Sequence, residues 1–234
     1  MKAGATILKN GGSAADAMVA TQSVLGLVEP QSSGLGGGAF LVWYDSKTKK
    51  ITTLDGRETA PLSVTPNMFL DKNNDPVKFF DAVVGGNSVG IPGTPALMKS
   101  AHRRWGKIDW EKLFSEAIAL AESGFFVSDR LAKMIKRDGR RLKKFSRTSH
   151  YFFPNGKALE SGEKLENRAY AKTLRSIAQE GISVFYRGRI AVDIIETVGS
   201  ATGNKNTIVR GDLANYKVVE RQPVCKVYRS YKVC

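Results

Sequence analysis

The chain has 234 residues, of which 42% are apolar and 25% charged, with 36 Lys+Arg against 22 Asp+Glu for a formal net charge of +14. That length and apolar content suit a folded domain, or part of a larger one, and argue against wholesale disorder. No apolar run approaches the roughly 20 residues of a membrane span, because Met18–Val28 is broken by Thr21, Gln22, Ser23 and Gly26.

The first predicted helix covers Lys2–Lys9 and stops at Asn10-Gly11-Gly12, where glycine tolerates a left-handed C-cap. Ser13 opens the second helix, with Ser13-Ala-Ala-Asp16 forming a capping box that carries Asp in place of Glu or Gln. Apolar residues surround that helix from Ala14 to Val28, which predicts burial on most sides. Ser33–Ala39 is glycine-rich and leads into a hairpin of Phe40–Tyr44 and Ile51–Leu54, followed by Asp55-Gly-Arg-Glu-Thr-Ala-Pro61. Phe79–Val84 reads as a strand, and Gly85–Thr94 as a tight connection. Thr94 is the expected N-cap of a helix reaching Trp105, with Pro95 at its first position, and Asp109 the expected cap of the next, which ends at Ser123-Gly124. Ser128 opens a strongly basic helix. Helices follow at Asn167–Glu180 and Gly188–Val198, then a helical turn at Asp212–Tyr216 and strands at Lys217–Glu220, Val224–Tyr228 and Tyr231–Cys234. A two-residue turn at Arg229-Ser230 would pair Cys225 with Cys234.

The amino end lacks the apolar h-region of a secretory signal, which leaves a cytoplasmic protein or a piece lacking its true amino end. Two cysteines cannot alone make a closed four-ligand zinc site, and His102 and His150 are the only histidines to add to them, so neither a metal nor a cofactor is expected.

Four features of the sequence bear on chemistry. Gly34-Leu-Gly-Gly-Gly-Ala39 satisfies the spacing of a dinucleotide fingerprint, but that motif needs a strand before it and a helix after it, and the order here is reversed. Gly86-Asn-Ser88-Val-Gly90 matches a nucleophile elbow, yet Pro92, Gly93 and Pro95 oppose the helix that must follow, so a Gly/Pro turn is preferred to a serine hydrolase. Residues 130–147 hold nine cations and Asp138, which is 8 of the net +14. Their phosphate-binding potential is weighed against Leu131, Met134, Ile135 and Leu142, which give the helix an apolar stripe, and a solvated one-sided helix is preferred. Arg57 follows a strand end, where loops commonly carry function, and its planar fork suits a carboxylate. A surface ion pair with Glu58 or Asp55 is the plainer alternative.

Together these blocks closely resemble the gamma-glutamyltransferases, also called glutathione hydrolases. The resemblance rests on Gly11–Ala17, Val28–Gly38, Leu54–Pro61, Ser88–Thr94, Ala117–Phe125, Val127–Leu131, Phe185–Gly188 and Asp212–Tyr216, which run through essentially the whole chain. It implies an α+β architecture: part of a four-layer αββα N-terminal nucleophile hydrolase fold, with residues 1–234 as a single incomplete domain of the amino-terminal large-subunit region. It also implies a precursor that cuts itself, an amino-terminal threonine nucleophile beyond Cys234 and hence no catalytic residue in this chain, and Arg57 as holder of the substrate's alpha-carboxylate. The implied reaction cleaves the gamma-glutamyl amide of glutathione and passes the acyl group to water or to an amino acid or peptide. The implied partners are the small-molecule substrate, the small subunit and the rest of the large subunit, with no specific nucleic acid. Periplasmic or extracellular location is implied as well, and with export a Cys225–Cys234 disulfide. The chain alone is expected to be inactive. The alternative from another class is a truncated, non-enzymatic remnant whose basic helix binds nucleic acid or acidic surfaces.

Overall fold

The computed structural model describes residues 2–201 and 208–234. It begins with α1 (Lys2–Lys9) and α2 (Ala14–Val28). Both halves of the capping box form: the Ser13 N–H donates to Asp16 Oδ2 at 2.8 Å, and the Asp16 N–H donates to Ser13 Oγ at 3.1 Å. The same Asp16 oxygen accepts the N–H groups of Lys107 and Ile108 at 2.8 and 3.2 Å, so one buried carboxylate ties the start of α2 to a loop over 90 residues away.

Strands β1 (Ala39–Asp45) and β2 (Lys50–Gly56) form the expected antiparallel hairpin, with Leu41 opposite Leu54. One face of β1 turns Trp43 onto Trp105, the rings stacked at 4.5 Å, while Phe40, Val42 and Tyr44 face solvent. The segment read as a strand from Phe79 is instead a short helix, α3 (Phe79–Val83). Among the described residues no strand pairs with it, so its backbone is satisfied locally, with the Asp81 and Ala82 N–H groups donating to the Lys78 carbonyl at 2.9 and 3.0 Å.

α4 (Thr94–Trp105) is capped by Gly93, with Thr94 already inside the helix. A 3₁₀ turn at Trp110–Phe114 leads into α5 (Ser115–Ser123). Asp109 precedes that turn, but its side chain pairs with Lys112 Nζ at 2.7 Å and makes no cap bond. β3 (Phe125–Phe126) then gives way to the basic helix α6 (Asp129–Leu142), whose Ser128 cap accepts the Leu131 N–H at 3.1 Å. α7 (Ser146–Phe152), β4 (Lys164–Leu165), α8 (Arg168–Glu180), α9 (Ser183–Tyr186) and α10 (Arg189–Gly199) follow; α7 and α9 carry no clear helical pattern in the sequence.

α11 (Arg210–Ala214) precedes β5 (Val219–Arg221), which joins the sheet beside β2 to give the order β1-β2-β5, all antiparallel. β6 (Lys226–Tyr228) and β7 (Tyr231–Val233) make the terminal hairpin. Arg229 has a positive φ of 54° at the first turn position, as hairpin turns of the primed types require. Lys226 faces Val233, and one step outward the sulfurs of Cys225 and Cys234 are joined, with a Cα–Cα distance of 4.0 Å.

Two apolar clusters hold the helices. One gathers Phe114, Leu113, Leu174, Ile177 and Leu213 with Phe185 and Tyr186; the other gathers Leu27, Ala121, Phe125, Leu131, Ile135 and Phe153. α4 lies against β1 and β2, and its first turn reaches the end of β2. That contact is where the chain's separated motifs meet.

Candidate functional site

Arg57 is the first residue after β2, and its backbone is held on both sides. Its N–H donates to Asp55 Oδ1 at 2.9 Å, and its carbonyl accepts the Tyr216 phenol at 2.7 Å. The side chain is 59% exposed and meets Glu58 Oε2 at 3.3 Å. That oxygen is buried, and the arginine contact is an ion pair without an aligned hydrogen bond. Arg57 therefore presents a mostly free guanidinium from a fixed peptide.

Glycines allow the surrounding segments to approach. A Cβ at Gly38 would lie 2.6 Å from Glu58 Oε2 and 2.7 Å from both the Glu58 nitrogen and the Gly56 oxygen, so a larger residue there would displace the Arg57-Glu58 turn. At Gly93 a Cβ would overlap the Gly56 carbonyl and the Tyr216 hydroxyl. The N–H groups of Gly93 and Thr94 both donate to the Gly37 carbonyl, at 2.9 and 3.0 Å, and Thr59 and Ile91 exchange backbone bonds at 3.3 and 2.8 Å. Three motifs that the sequence spaces tens of residues apart thus share one corner. The glycine-rich run works by backbone proximity, and since it joins helix α2 to strand β1 it lacks the strand-then-helix order of a dinucleotide site.

The electrostatics follow from these partners. The Arg57 N–H, and after it the Arg221 guanidinium whose Nε lies 2.6 Å from Asp55 Oδ2, hold the Asp55 carboxyl below its ordinary value of 3.8. Burial, with the Asp55 and Glu58 charges nearby, pushes the Tyr216 phenol up to about 12, so it remains a hydrogen-bond donor at neutral pH. Tyr216 and Arg221 carry no signal of a role here in the sequence. Tyr216 closes one of the recognisable blocks, but only the fold brings it to Arg57.

The other candidates go elsewhere. Ser88 Oγ donates to the Val83 carbonyl at 2.8 Å, while His102 and His150 bond to the carbonyls of Ile108 and Ser146, so no serine triad assembles. The basic helix buries Leu131, Ala132 and Ile135. Arg130, Lys136, Arg137 and Arg141 pair with Glu29, Glu160 and Asp138, and Arg141 and Lys143 lie over the rings of Phe80 and Phe153. None of those partners belongs to the Arg57 corner. Among the described residues no group of three His, Cys, Asp or Glu side chains could hold a metal ion, and no helix is long and apolar enough to cross a membrane.

Comparison with known proteins gives the chain's family. The family model described as gamma-glutamyltranspeptidase matches residues 1–234. The glutathione hydrolase proenzyme of Bacillus subtilis (strain 168) is 39% identical over 232 residues, covering 98% of this chain and 38% of its own length. That of Escherichia coli (strain K12) is 37% identical over 231 residues, with coverages of 98% and 39%. The crystal structure of Helicobacter pylori gamma-glutamyltranspeptidase superposes with a TM-score of 0.93 at 36% identity, covering 99% of this chain and 65% of that one. The chain therefore spans less than two fifths of these curated relatives, and its mixed α and β architecture is part of the N-terminal nucleophile hydrolase fold. A match over every residue, together with identity well above 30% along almost the whole chain, makes this chain a member of the gamma-glutamyltranspeptidase family.

Proposed function

We propose that residues 1–234 are an incomplete domain, the amino-terminal part of the large subunit of a gamma-glutamyltransferase precursor. In this reading Arg57 holds the alpha-carboxylate of the gamma-glutamyl group in glutathione and related compounds. One observation carries it: Arg57 has a fixed backbone and a largely free guanidinium, at the point where the family's glycine-rich, strand-end and helix-start motifs converge. A guanidinium fork matches a carboxylate in two parallel charge-assisted hydrogen bonds. Glu58, 3.3 Å from Nη1, steers the fork from one side and leaves its other nitrogens for substrate.

The reaction is acyl transfer. A threonine hydroxyl from the small subunit adds to the gamma-glutamyl amide carbonyl with its own alpha-amine as base, the amine leaves, and the acyl-enzyme passes to water or to a second amine. Without that threonine the isolated chain is inactive. Three features support membership in a larger body: a sheet of three strands, apolar Phe40, Val42 and Tyr44 exposed on its outer face, and relatives more than twice as long. The enzyme works outside the cytoplasm, where Cys225 and Cys234 form a disulfide. Titration that finds two reactive thiols in the native oxidised protein would refute that pairing.

The test of the site is Arg57→Ala in the full-length protein that carries this chain, assayed on a gamma-glutamyl anilide. Loss of a bidentate charge-assisted contact should raise KM roughly 10- to 100-fold, with Arg57→Lys between the two. Unchanged KM and kcat would remove the assignment. Turnover by the purified 234-residue chain above a matched blank would remove the claim that the chain needs the rest of the enzyme.

A further inference from the structure

Exposed loop residues usually have backbone groups that bond to water, yet both backbone groups of Arg57 are claimed by side chains, the N–H by Asp55 two residues back and the carbonyl by Tyr216 from 159 positions away. Its N–H goes to Asp55, whose other oxygen is occupied by Arg221, and its carbonyl goes to Tyr216. Tyr216 is itself braced. Its ring stacks on Tyr186 with centroids 5.7 Å apart and planes 9° from parallel. Tyr186 is fixed at its far end, donating its phenol to the Pro92 carbonyl at 2.8 Å and accepting the Ala96 N–H at 3.2 Å. It is buried in the larger apolar cluster beside Phe185. The two rings therefore make a strut from the first turn of α4, through the core, to the Arg57 carbonyl. Gly93 lets the Gly56 and Tyr216 oxygens close over it.

We propose that Tyr216 is a positioning residue for carboxylate capture: braced on Tyr186, it holds the Arg57 peptide so that the guanidinium fork is set before substrate arrives. Pre-setting the fork avoids an ordering cost at binding, and misplacing a holding group by about 1 Å is enough to weaken it. The inference rests on the reading of Arg57 as carboxylate holder. Tyr216 acts through one hydrogen bond to backbone and touches neither substrate nor nucleophile.

Tyr216→Phe tests it, because that change removes the hydroxyl and keeps the stack. In the full-length protein, with an unchanged melting transition, KM for a gamma-glutamyl anilide should rise about three- to tenfold while kcat stays within about twofold. In an Arg57→Ala background the same change should leave KM where it is, since there is no fork left to set. A Tyr216→Phe effect of equal size in both backgrounds, or one confined to kcat, would overturn the proposal while leaving Arg57 as the carboxylate holder. If Arg57→Ala alone has no effect, the site reading fails and this proposal falls with it. Tyr186→Phe, which frees the far end of the strut, should raise KM in the same direction and to a smaller extent. Should Tyr216→Phe fail to fold, that variant decides the question, and an unchanged KM there would overturn the strut.

Discussion

Two regions of this molecule display arginine to solvent, and they are built in opposite ways. The Arg57 corner is tied together by residues far apart in the chain: Tyr216 lies 159 positions from Arg57, and Arg221 lies 166 from Asp55. The basic helix α6 overlaps residues 130–147, which hold 8 of the net +14, but its backbone is held by its own helix and distant partners reach it through side chains alone. Ser128 caps its own helix and Asp138 pairs with Arg137 and Arg141, while Arg130 reaches Glu29, Lys136 reaches Glu160 and Arg141 lies over Phe80 by their side chains, with no distant group on the helix backbone in these contacts. Density of charge thus lies apart from the proposed site. A cation whose backbone is fixed by a distant partner while its side chain stays free is the better guide, because holding an exposed loop rigid costs conformational entropy that a merely solvated loop does not spend.

The sharpest way to break this contrast is at Gly93. Gly93→Ala puts a methyl into the Gly56 carbonyl and the Tyr216 hydroxyl, neither of which has a flexible way out. We expect a loss of about 3 kcal/mol and, for a protein of this size, a fall in melting temperature of roughly 6–12 °C. A variant as stable as the parent would show that the corner yields.

A subtler probe is acid. The Asp55 carboxyl is depressed when folded, so the stability it contributes is fully present above its ordinary 3.8 and is lost as pH falls through its lower folded value. Its carboxylate resonance should titrate with a midpoint below 3.8, and Arg221→Ala should move that midpoint upward. A midpoint at or above 3.8 in the parent would break the link between Asp55 and the arginine corner.

The smallest effect belongs to the other region. Lys133 and Lys144 are exposed on or just after α6, and reversing both to Glu should change stability by no more than about 0.5 kcal/mol and leave KM and kcat of the full-length protein unaltered. Loss of activity comparable to that of Arg57→Ala would make the basic helix part of the working surface and erase the distinction. Salt-sensitive retention on DNA by the parent that the reversal abolishes would instead favour the remnant reading.

How much of this was legible beforehand depended on the range of the interaction. The start of α2 could be read from Ser13 and Asp16, because a capping box is closed within four residues. The terminal hairpin register followed from its two-residue turn, which fixes every pair behind it, including Cys225 with Cys234. Asp109 misled because its carboxylate had two local choices, a cap bond or Lys112, and took the ion pair. Phe79–Val83 misled for a different reason: its residues favour a strand, but a strand needs a neighbour, and without one the backbone bonds to itself. Arg57 could be singled out from its place after a strand and Asp55 named beside it, while Tyr216, 159 positions away, could not be.

The sequence by itself determined the helices that carry their own caps and stripes, the two hairpins, and the family, whose motifs survive as short contiguous blocks. Tertiary structure alone decided which of those blocks touch. It brought Gly38 and Gly93 within backbone contact of the Arg57 turn, bonded Gly37 to Gly93 and Thr94, and ran the Tyr186–Tyr216 stack up to the Arg57 carbonyl. The physical reason is that caps and turns are settled by hydrogen bonds a few residues long, whereas a contact spanning some 160 residues forms only after the core between them has packed.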